Sequence, residues 1–275
     1  MMIIHKTYRV IIGVLLVGAT ALTACSVKEE REPCPAFLSV SFPDKESIRK
    51  PVTLLGYNTE EVFRSRVNVS ALEDDWLKAV RKSRFNLSAY CGVDRNEERE
   101  HFILIPIGTE CDSLYSFQTG VDCTGDVAHA EVKLHKQFST VSVDLNKPLE
   151  GENSIDRYRF LVEGKTCGFD LMSYEPVAGT YRIEPAVRRG ETVVYFRIPR
   201  QNDSSMILTI WYLTDDGLRL PLEEFSLGEY MRKIGYDWKE EDLKDIDVKI
   251  DIISGFITIE VEGWEEGYTF SFIEQ

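Results

Sequence analysis

The sequence is poor in the residues from which most catalytic and nucleic-acid-binding sites are built. Basic residues number 32 against 46 acidic ones, which gives a formal net charge of −14, and there are only four histidines. An acidic chain repels nucleic-acid phosphates, so a nucleic-acid partner is excluded. The sequence also has no phosphate-binding glycine loop, no H-E-x-x-H and no G-x-S-x-G motif. It therefore indicates no enzyme, no cofactor and no small-molecule substrate.

Metal-binding and paired-carboxylate patterns are missing as well. No two cysteines have the C-x₂₋₄-C spacing of a zinc site. Glu223-Glu224 and Glu265-Glu266 are adjacent pairs, so on a strand their side chains point to opposite faces and do not converge on a glycosidic bond. We expect His101 and His135 to be solvated polar residues rather than metal ligands or catalytic bases.

Only one long apolar run is present, and it lies near the N-terminus. It covers residues 10–21, follows two basic residues and leads into Leu22-Thr23-Ala24-Cys25. The run is short for a membrane span, and small residues before a cysteine at its end are typical of a lipoprotein signal. We predict a signal peptide at 1–24 and a lipid such as palmitate on Cys25. A plain signal peptide with an incidental cysteine, or a short N-terminal membrane helix, is the alternative.

The other cysteines leave the disulfide question open. Five remain if Cys25 is lipidated, so at least one thiol is unpaired. Cys111 and Cys123 flank a predicted hairpin and could form a disulfide in an exported protein. The alternative is that both are small, buried, apolar residues.

Period-two alternation of apolar and polar residues dominates the chain between residues 111 and 145. In its last segment Val141, Val143 and Leu145 occupy one parity, with polar residues between them. This pattern is typical of antiparallel strands with one face on a core and one in water. The sequence therefore predicts an all-β fold.

Similar strand patterns occur on both sides of a polar stretch that contains proline and glycine, residues 147–154. We predict a charged tether at 25–35, an N-terminal β-sandwich at 36–146, a linker at 147–154 and a C-terminal β-sandwich at 155–275.

Two segments fit a short helix. In residues 70–84, Ser70 and Glu73 have the capping-box spacing. Residues 227–234 are followed by Gly235, a common residue after a helix end. One or two short helices are therefore expected.

Several segments resemble one family. CDSLYSF, VDCTGD and VKLHKQFSTV, between residues 111 and 141, and LGEYMRKIGYDW at 227–238 resemble the fimbrillin-associated anchor lipoproteins of Bacteroidetes. Lys28-Glu29-Glu30 is also similar to the surface-export signal of Bacteroidetes lipoproteins, although a plain solvated tether explains it equally well.

The resemblance implies two tandem Greek-key, transthyretin-like sandwiches in an outer-membrane protein of the cell surface. Such a protein attaches a fimbria (pilus) by binding fimbrial subunits, and so serves cell adhesion. The alternative is a surface lipoprotein that binds carbohydrate through exposed aromatic residues. No residue pattern supports a hydrolase.

The resemblance also implies assembly by strand addition, in which an extended segment of one subunit completes the sheet of another. Stalk subunits of the family lose an N-terminal strand by proteolysis. The first predicted strand here, 36–42, begins within about a dozen residues of Cys25, too close for cleavage to leave the body attached. We expect it to stay in place and pairing to use the C-terminal strand with Tyr268, Phe270 and Phe272. The alternative is an ordinary closing strand of its own domain.

Overall fold

The computed structural model describes residues 34–146 and 155–272, and nearly all regular structure in them is β-strand. The strands are β1 (Ala36–Ser41), β2 (Val52–Tyr57), β3 (Glu61–Val67), β4 (Trp76–Val80), β5 (Arg84–Cys91), β6 (Glu97–Arg99), β7 (Phe102–Leu104), β8 (Tyr115–Asp122), β9 (Val127–Glu131), β10 (His135–Lys136), β11 (Phe138–Asn146), β12 (Tyr158–Asp170), β13 (Glu175–Ile183), β14 (Val193–Pro199), β15 (Ile207–Leu213), β16 (Arg219–Phe225), β17 (Ile246–Asp251), β18 (Phe256–Val261) and β19 (Tyr268–Ser271). One helix, α1 (Leu227–Lys233), and one 3₁₀ turn, Val69–Ala71, accompany them. The prediction of an all-β fold with little helix is confirmed.

Two sheets form the N-terminal lobe. One has three strands in the order β4–β1–β9, and the other has five in the order β10–β8–β5–β2–β3. β1 runs parallel to β9 and antiparallel to β4. Alternate side chains of the two sheets meet in a core whose fully buried members are Ala36, Leu38, Val40, Val52, Leu54, Val69, Leu87, Ala89 and Cys123. Removal of this apolar surface from water is the main source of the lobe's stability.

The C-terminal lobe is larger and is built in the same way. Its first sheet has the order β14–β11–β17–β18–β19, and its second has the order β16–β15–β12–β7–β6, with β13 also paired to β12. The core between them includes Val141, Val143, Phe160, Phe196, Ile210, Phe225, Leu227, Met231, Val248 and Ile259. Because Leu227 and Met231 belong to α1, the helix closes one side of this core.

The two lobes do not divide the chain in simple sequence order. β6 and β7 precede β8 along the chain but pair in the C-terminal lobe, where β7 lies beside β12. β11, within the expected first domain 36–146, lies between β14 and β17. A further buried cluster draws residues from both lobes, namely Leu55, Tyr90, Ile103, Leu114, Phe169 and Leu171. The expected linker at 147–154 lies outside the described residues.

The helix expected at 227–234 is confirmed, and its end has a defined cause. Gly235 has a φ of +81°, in the left-handed region that glycine occupies without strain. Its N–H donates to the Arg232 carbonyl at 3.1 Å, and that of Tyr236 donates to the Met231 carbonyl at 3.0 Å. These two bonds form a Schellman motif, which satisfies the last carbonyls of the helix.

The helix expected at 70–84 is wrong, because the middle of that segment, Trp76–Val80, is strand β4. Trp76 and Val80 face the core while Leu77 and Ala79 face outward, so the segment has a period of two. Backbone pairing with β1 supplies the hydrogen bonds a helix would have formed, which shows tertiary context overriding helix propensity.

Candidate subunit-pairing edge and a neighbouring cleft

β19, the strand predicted to pair with another subunit, lies at the edge of its sheet. It pairs antiparallel with β18, with Phe256 opposite Ser271. Phe272 donates its backbone N–H to the Gly255 carbonyl at 2.9 Å. In an antiparallel ladder the backbone groups alternate in direction, so those of Thr269 and Ser271 point away from β18. No strand within residues 34–146 and 155–272 pairs with this outer edge.

The three aromatic side chains proposed for pairing have different surroundings. The ring centroid of Phe270 lies 4.9 Å from that of Tyr230, and the centroid of Phe272 lies 5.0 Å from that of Phe225. Tyr268, by contrast, is 40% exposed. Two of the three rings therefore fix this segment to its own lobe, while its outer backbone edge stays open. The role of all three in subunit pairing stays a prediction.

β1 differs from β19 in that both of its edges are paired. It is the central strand of its sheet, with β4 on one side and β9 on the other. Ala36, Leu38 and Val40 are fully buried. Removing this strand would expose the core of the N-terminal lobe, so β1 is part of the folded body. Cys25, the predicted lipid attachment, lies outside the described residues.

Cys111 and Cys123 are both buried and free. The expected hairpin between them is a single extended strand, β8, which at about 3.3 Å per residue separates the two cysteines by more than about 20 Å. A disulfide needs Cα atoms within about 7 Å, so the structure does not bring this pair together. Burial raises the pKa of both thiols, which keeps them neutral and apolar.

His101 and His135 are not the solvated residues that we expected. His135 is 9% exposed, and its Nδ1 lies 3.1 Å from a carboxylate oxygen of Asp242. The backbone N–H of Lys136 donates to the same carboxylate at 2.7 Å. Although burial opposes it, these hydrogen bonds lower the pKa of Asp242. The ring of His101 packs against that of Phe102, with 4.0 Å between centroids. Both histidines therefore have structural roles.

The sequence did not reveal a cleft of about 710 Å³ in the C-terminal lobe, lined in part by Tyr174, Arg200 and Trp238. Arg200 is 8% exposed, and burial lowers its pKa. Its Nε donates to Gln137 Oε1 at 2.8 Å, its Nη1 to the Trp238 carbonyl and its Nη2 to the Glu241 carbonyl at 3.1 Å. These acceptors are neutral, and no carboxylate among the described residues bonds directly to the guanidinium, whose charge is held beside the cleft.

The turn that leads into β13 borders this cleft in an unusual backbone conformation. Tyr174 has a φ of 60°, which is uncommon for a residue other than glycine. Its hydroxyl donates to the Ser116 carbonyl and accepts from Gln137 Nε2, both at 2.8 Å. These bonds fix the turn in place. The cleft residues are far apart in sequence, so no local motif could have predicted it.

The part of the chain that the structure describes contains neither a metal-binding cluster nor a membrane-spanning helix. No group of three or more histidine, cysteine, aspartate or glutamate side chains in this part of the chain could hold a metal ion. Within the same residues, no helix combines the length and apolar character needed to cross a membrane.

The fold is shared with adhesin and fimbrial proteins of Bacteroidetes, which confirms the resemblance at the level of the fold. No family model and no curated protein sequence matches the chain. Among solved structures, a candidate polysaccharide-binding protein from Bacteroides thetaiotaomicron has a TM-score of 0.63 at 12% identity and covers 87% of this chain and 100% of its own. The fimbrial anchor protein Mfa2 from Porphyromonas gingivalis has a TM-score of 0.55 at 12% identity, covering 84% and 98%.

Proposed function

We propose that this protein is a lipid-anchored outer-membrane protein, exposed at the cell surface, that attaches a fimbria by binding fimbrial subunits. The observation that carries the proposal is a fully paired first strand, β1, combined with an open outer edge on β19. A subunit at the base of a fimbria has to keep its own N-terminal strand and still offer an edge to a neighbour. The likeness to the fimbrial anchor protein Mfa2 supports this role.

Attachment to the membrane is assigned to the lipid on Cys25. The apolar run at 10–21 and the small residues before Cys25 support it. Each buried CH₂ of an acyl chain contributes about 0.8 kcal/mol, and more than one chain makes the attachment stable.

Binding of a fimbrial subunit is assigned to the outer edge of β19. The outward N–H and C=O groups of Thr269 and Ser271 provide backbone hydrogen bonds for an extended segment, which would extend the five-stranded sheet by one strand. The contacts of Phe270 and Phe272 with their own lobe support this assignment, because an edge that is already ordered pays less entropy on binding.

Purification of the protein from cells that carry fimbriae tests the proposal. We expect it to bring down fimbrial subunits as a ladder of increasing size. A lipidated protein that purifies without any fimbrial subunit would contradict the proposed function.

Carbohydrate binding is a second candidate function, favoured by the 710 Å³ cleft. Tyr174 and Trp238 offer aromatic surface for a sugar ring, and Asn202 and Glu175 add a hydrogen-bond donor and an acceptor. Sugar-dependent retention on glycan columns that is lost in Trp238→Ala would favour this function. Retention that is unchanged in Trp238→Ala would rule out the cleft as its site.

A further inference from the structure

The outer face of the sheet β4–β1–β9 carries an apolar patch in contact with solvent. Phe37 is 53% exposed, Leu77 is 66% exposed and Val127 is 57% exposed. Phe37 lies directly opposite Val127 on β9 and opposite Ala79 on β4, while Leu77 lies opposite Ser39, one row further along β1. The three large side chains are therefore neighbours on one face of the sheet. We call Phe37, Leu77 and Val127 the outer patch.

The side chains of the outer patch are not part of the core of the N-terminal lobe. The core uses the opposite parity of β1, where Ala36, Leu38 and Val40 are fully buried. Contiguous apolar side chains on an outer face lower solubility, and they mark interaction surfaces when they persist. The outer patch therefore indicates a surface that something covers.

Basic residues cluster at one end of this sheet. Val80 lies opposite Ala36, so the basic residues Arg81, Lys82 and Arg84 follow at the end where β1 begins. Lys82 pairs with Asp126 at 2.7 Å, and Arg84 pairs with Asp122 at 2.8 Å.

The opposite end of the sheet is acidic. Asp75 accepts a hydrogen bond from Ser39 Oγ at 2.8 Å, and Glu131 lies opposite Ser41. Salt screens charges beyond about 8 Å under physiological conditions. At the end where β1 begins, Asp126 and Asp122 offset the charges of Lys82 and Arg84, so the excess positive charge there is that of Arg81. An approaching surface senses this local charge more strongly than the net charge of −14.

We propose that the outer patch and its basic end rest on the lipid surface of the membrane to which the protein is attached. The orientation of the body on the membrane rests on the proposed attachment at Cys25: Phe37 is twelve positions after Cys25 in the sequence, a reach of at most about 43 Å. Apolar side chains beside basic ones enter the headgroup region of an anionic bilayer in the same way as an interfacial amphipathic surface. The lipid would then be supplemented by a second contact that fixes the tilt of the body.

Vesicle co-sedimentation tests the proposal with the unacylated chain from Ser26 onward, which keeps the whole compact unit Ala36–Gln275. The chain should bind phosphatidylcholine vesicles that contain phosphatidylglycerol, and bind more weakly without the anionic lipid. Phe37→Ser/Leu77→Ser/Val127→Ser should lower partitioning at least about tenfold. Arg81→Gln should lower it about fivefold, and only with anionic vesicles.

A matched control comes from exposed apolar residues elsewhere on the molecule. Tyr195, Leu218 and Leu220 are 64%, 59% and 47% exposed, and their combined change to serine should leave vesicle binding as in the wild type. Thermal unfolding of each variant shows whether it is folded.

Three results would overturn the proposal. The first is wild-type protein that does not bind either kind of vesicle. The second is a folded triple variant that binds as well as the wild type. The third is a dimer of the unacylated chain that the triple variant abolishes, which would assign the outer patch to a second copy. Fatty-acid labelling at Cys25 and retention of fimbriae are separate measurements, so failure here is distinguishable from failure of the proposed function.

Discussion

The ring of Phe272 meets the ring of Phe225 edge-on, with 5.0 Å between ring centroids. Phe225 belongs to β16, in the second sheet of the C-terminal lobe, whereas Phe272 follows β19 in the first. The contact therefore joins the two sheets at the edge to which we assign subunit pairing.

Phe272→Ala should lower the free energy of unfolding by about 1–3 kcal/mol, less than a fully buried phenylalanine would lose because this ring is only partly buried. Urea unfolding of the chain from Ser26 onward measures the change. The control is Tyr195→Ala, a ring that is 64% exposed and should change stability by no more than about 0.5 kcal/mol. Equal stabilities of Phe272→Ala and the wild type would show that the segment is not held by this contact.

Thr269→Pro tests the pairing edge without removing a backbone hydrogen bond to β18, because the N–H of Thr269 points outward. It removes only the exposed side-chain hydrogen bond between the Thr269 and Thr258 hydroxyls, which are 2.9 Å apart. Proline is tolerated at such edge positions. The variant should keep its stability within about 1 kcal/mol and lose fimbriae from the cell surface.

The matched control lies on the other edge of the same sheet. Arg197 donates its N–H outward to Glu110, so Tyr195, two residues earlier on β14, also points its N–H outward. Tyr195→Pro should keep the fimbriae. The reverse outcome, with fimbriae lost only in Tyr195→Pro, would move the pairing edge to β14.

Limited proteolysis should cut within 147–154 before either half of the protein is degraded, because that stretch is polar and contains glycine and proline. The two fragments should stay together in native buffer. β11 of the first fragment lies between β14 and β17 of the second, and β12 of the second lies beside β7 of the first. Size-exclusion chromatography after digestion shows whether the two fragments stay together. Fragments that separate without denaturant would contradict the interlocked arrangement.

The carboxylate of Asp112 should make stability depend on pH. Although its burial works against ionisation, backbone N–H bonds from Asn96, Arg95 and Asp94 hold its pKa below the usual range. A carboxyl group whose pKa is lower in the folded protein than in the unfolded chain stabilises the fold at pH values above its unfolded pKa, which is about 3.9 for aspartate. That stabilisation is lost as the pH falls through the folded pKa. Asp112→Asn should therefore be less stable than the wild type at pH 7, and the difference should shrink below about pH 4.

Urea unfolding of Asp112→Asn and of the wild type across this pH range measures the difference in their stability. Asp74→Asn, which alters an exposed carboxylate, is the control and should follow the wild type. A constant difference between Asp112→Asn and the wild type at all pH values would show that ionisation is not the cause.

The sequence was most informative where a pattern is local. The alternation of Val141, Val143 and Leu145 predicted a strand, and Gly235 predicted a helix end, because each signal lies within a few residues of the structure it specifies. The misassigned helix at 70–84 and the wrongly expected hairpin between Cys111 and Cys123 depended on which distant strand pairs with each segment. The cleft at Tyr174, Arg200 and Trp238 could not be predicted for the same reason. The edge position of β19 depends on the whole sheet order, so the alternation of its aromatic residues could suggest it but not decide it.

If this chain holds a fimbria to the cell through a lipid on Cys25, Cys25→Ser should break that attachment. The measurement is the share of fimbriae that stay on cells against the share released into the medium, in cells that make the wild type or the variant. We expect that the variant no longer incorporates fatty acid and that intact fimbriae are released into the medium. Normal retention of fimbriae on cells whose variant protein carries no lipid would contradict it.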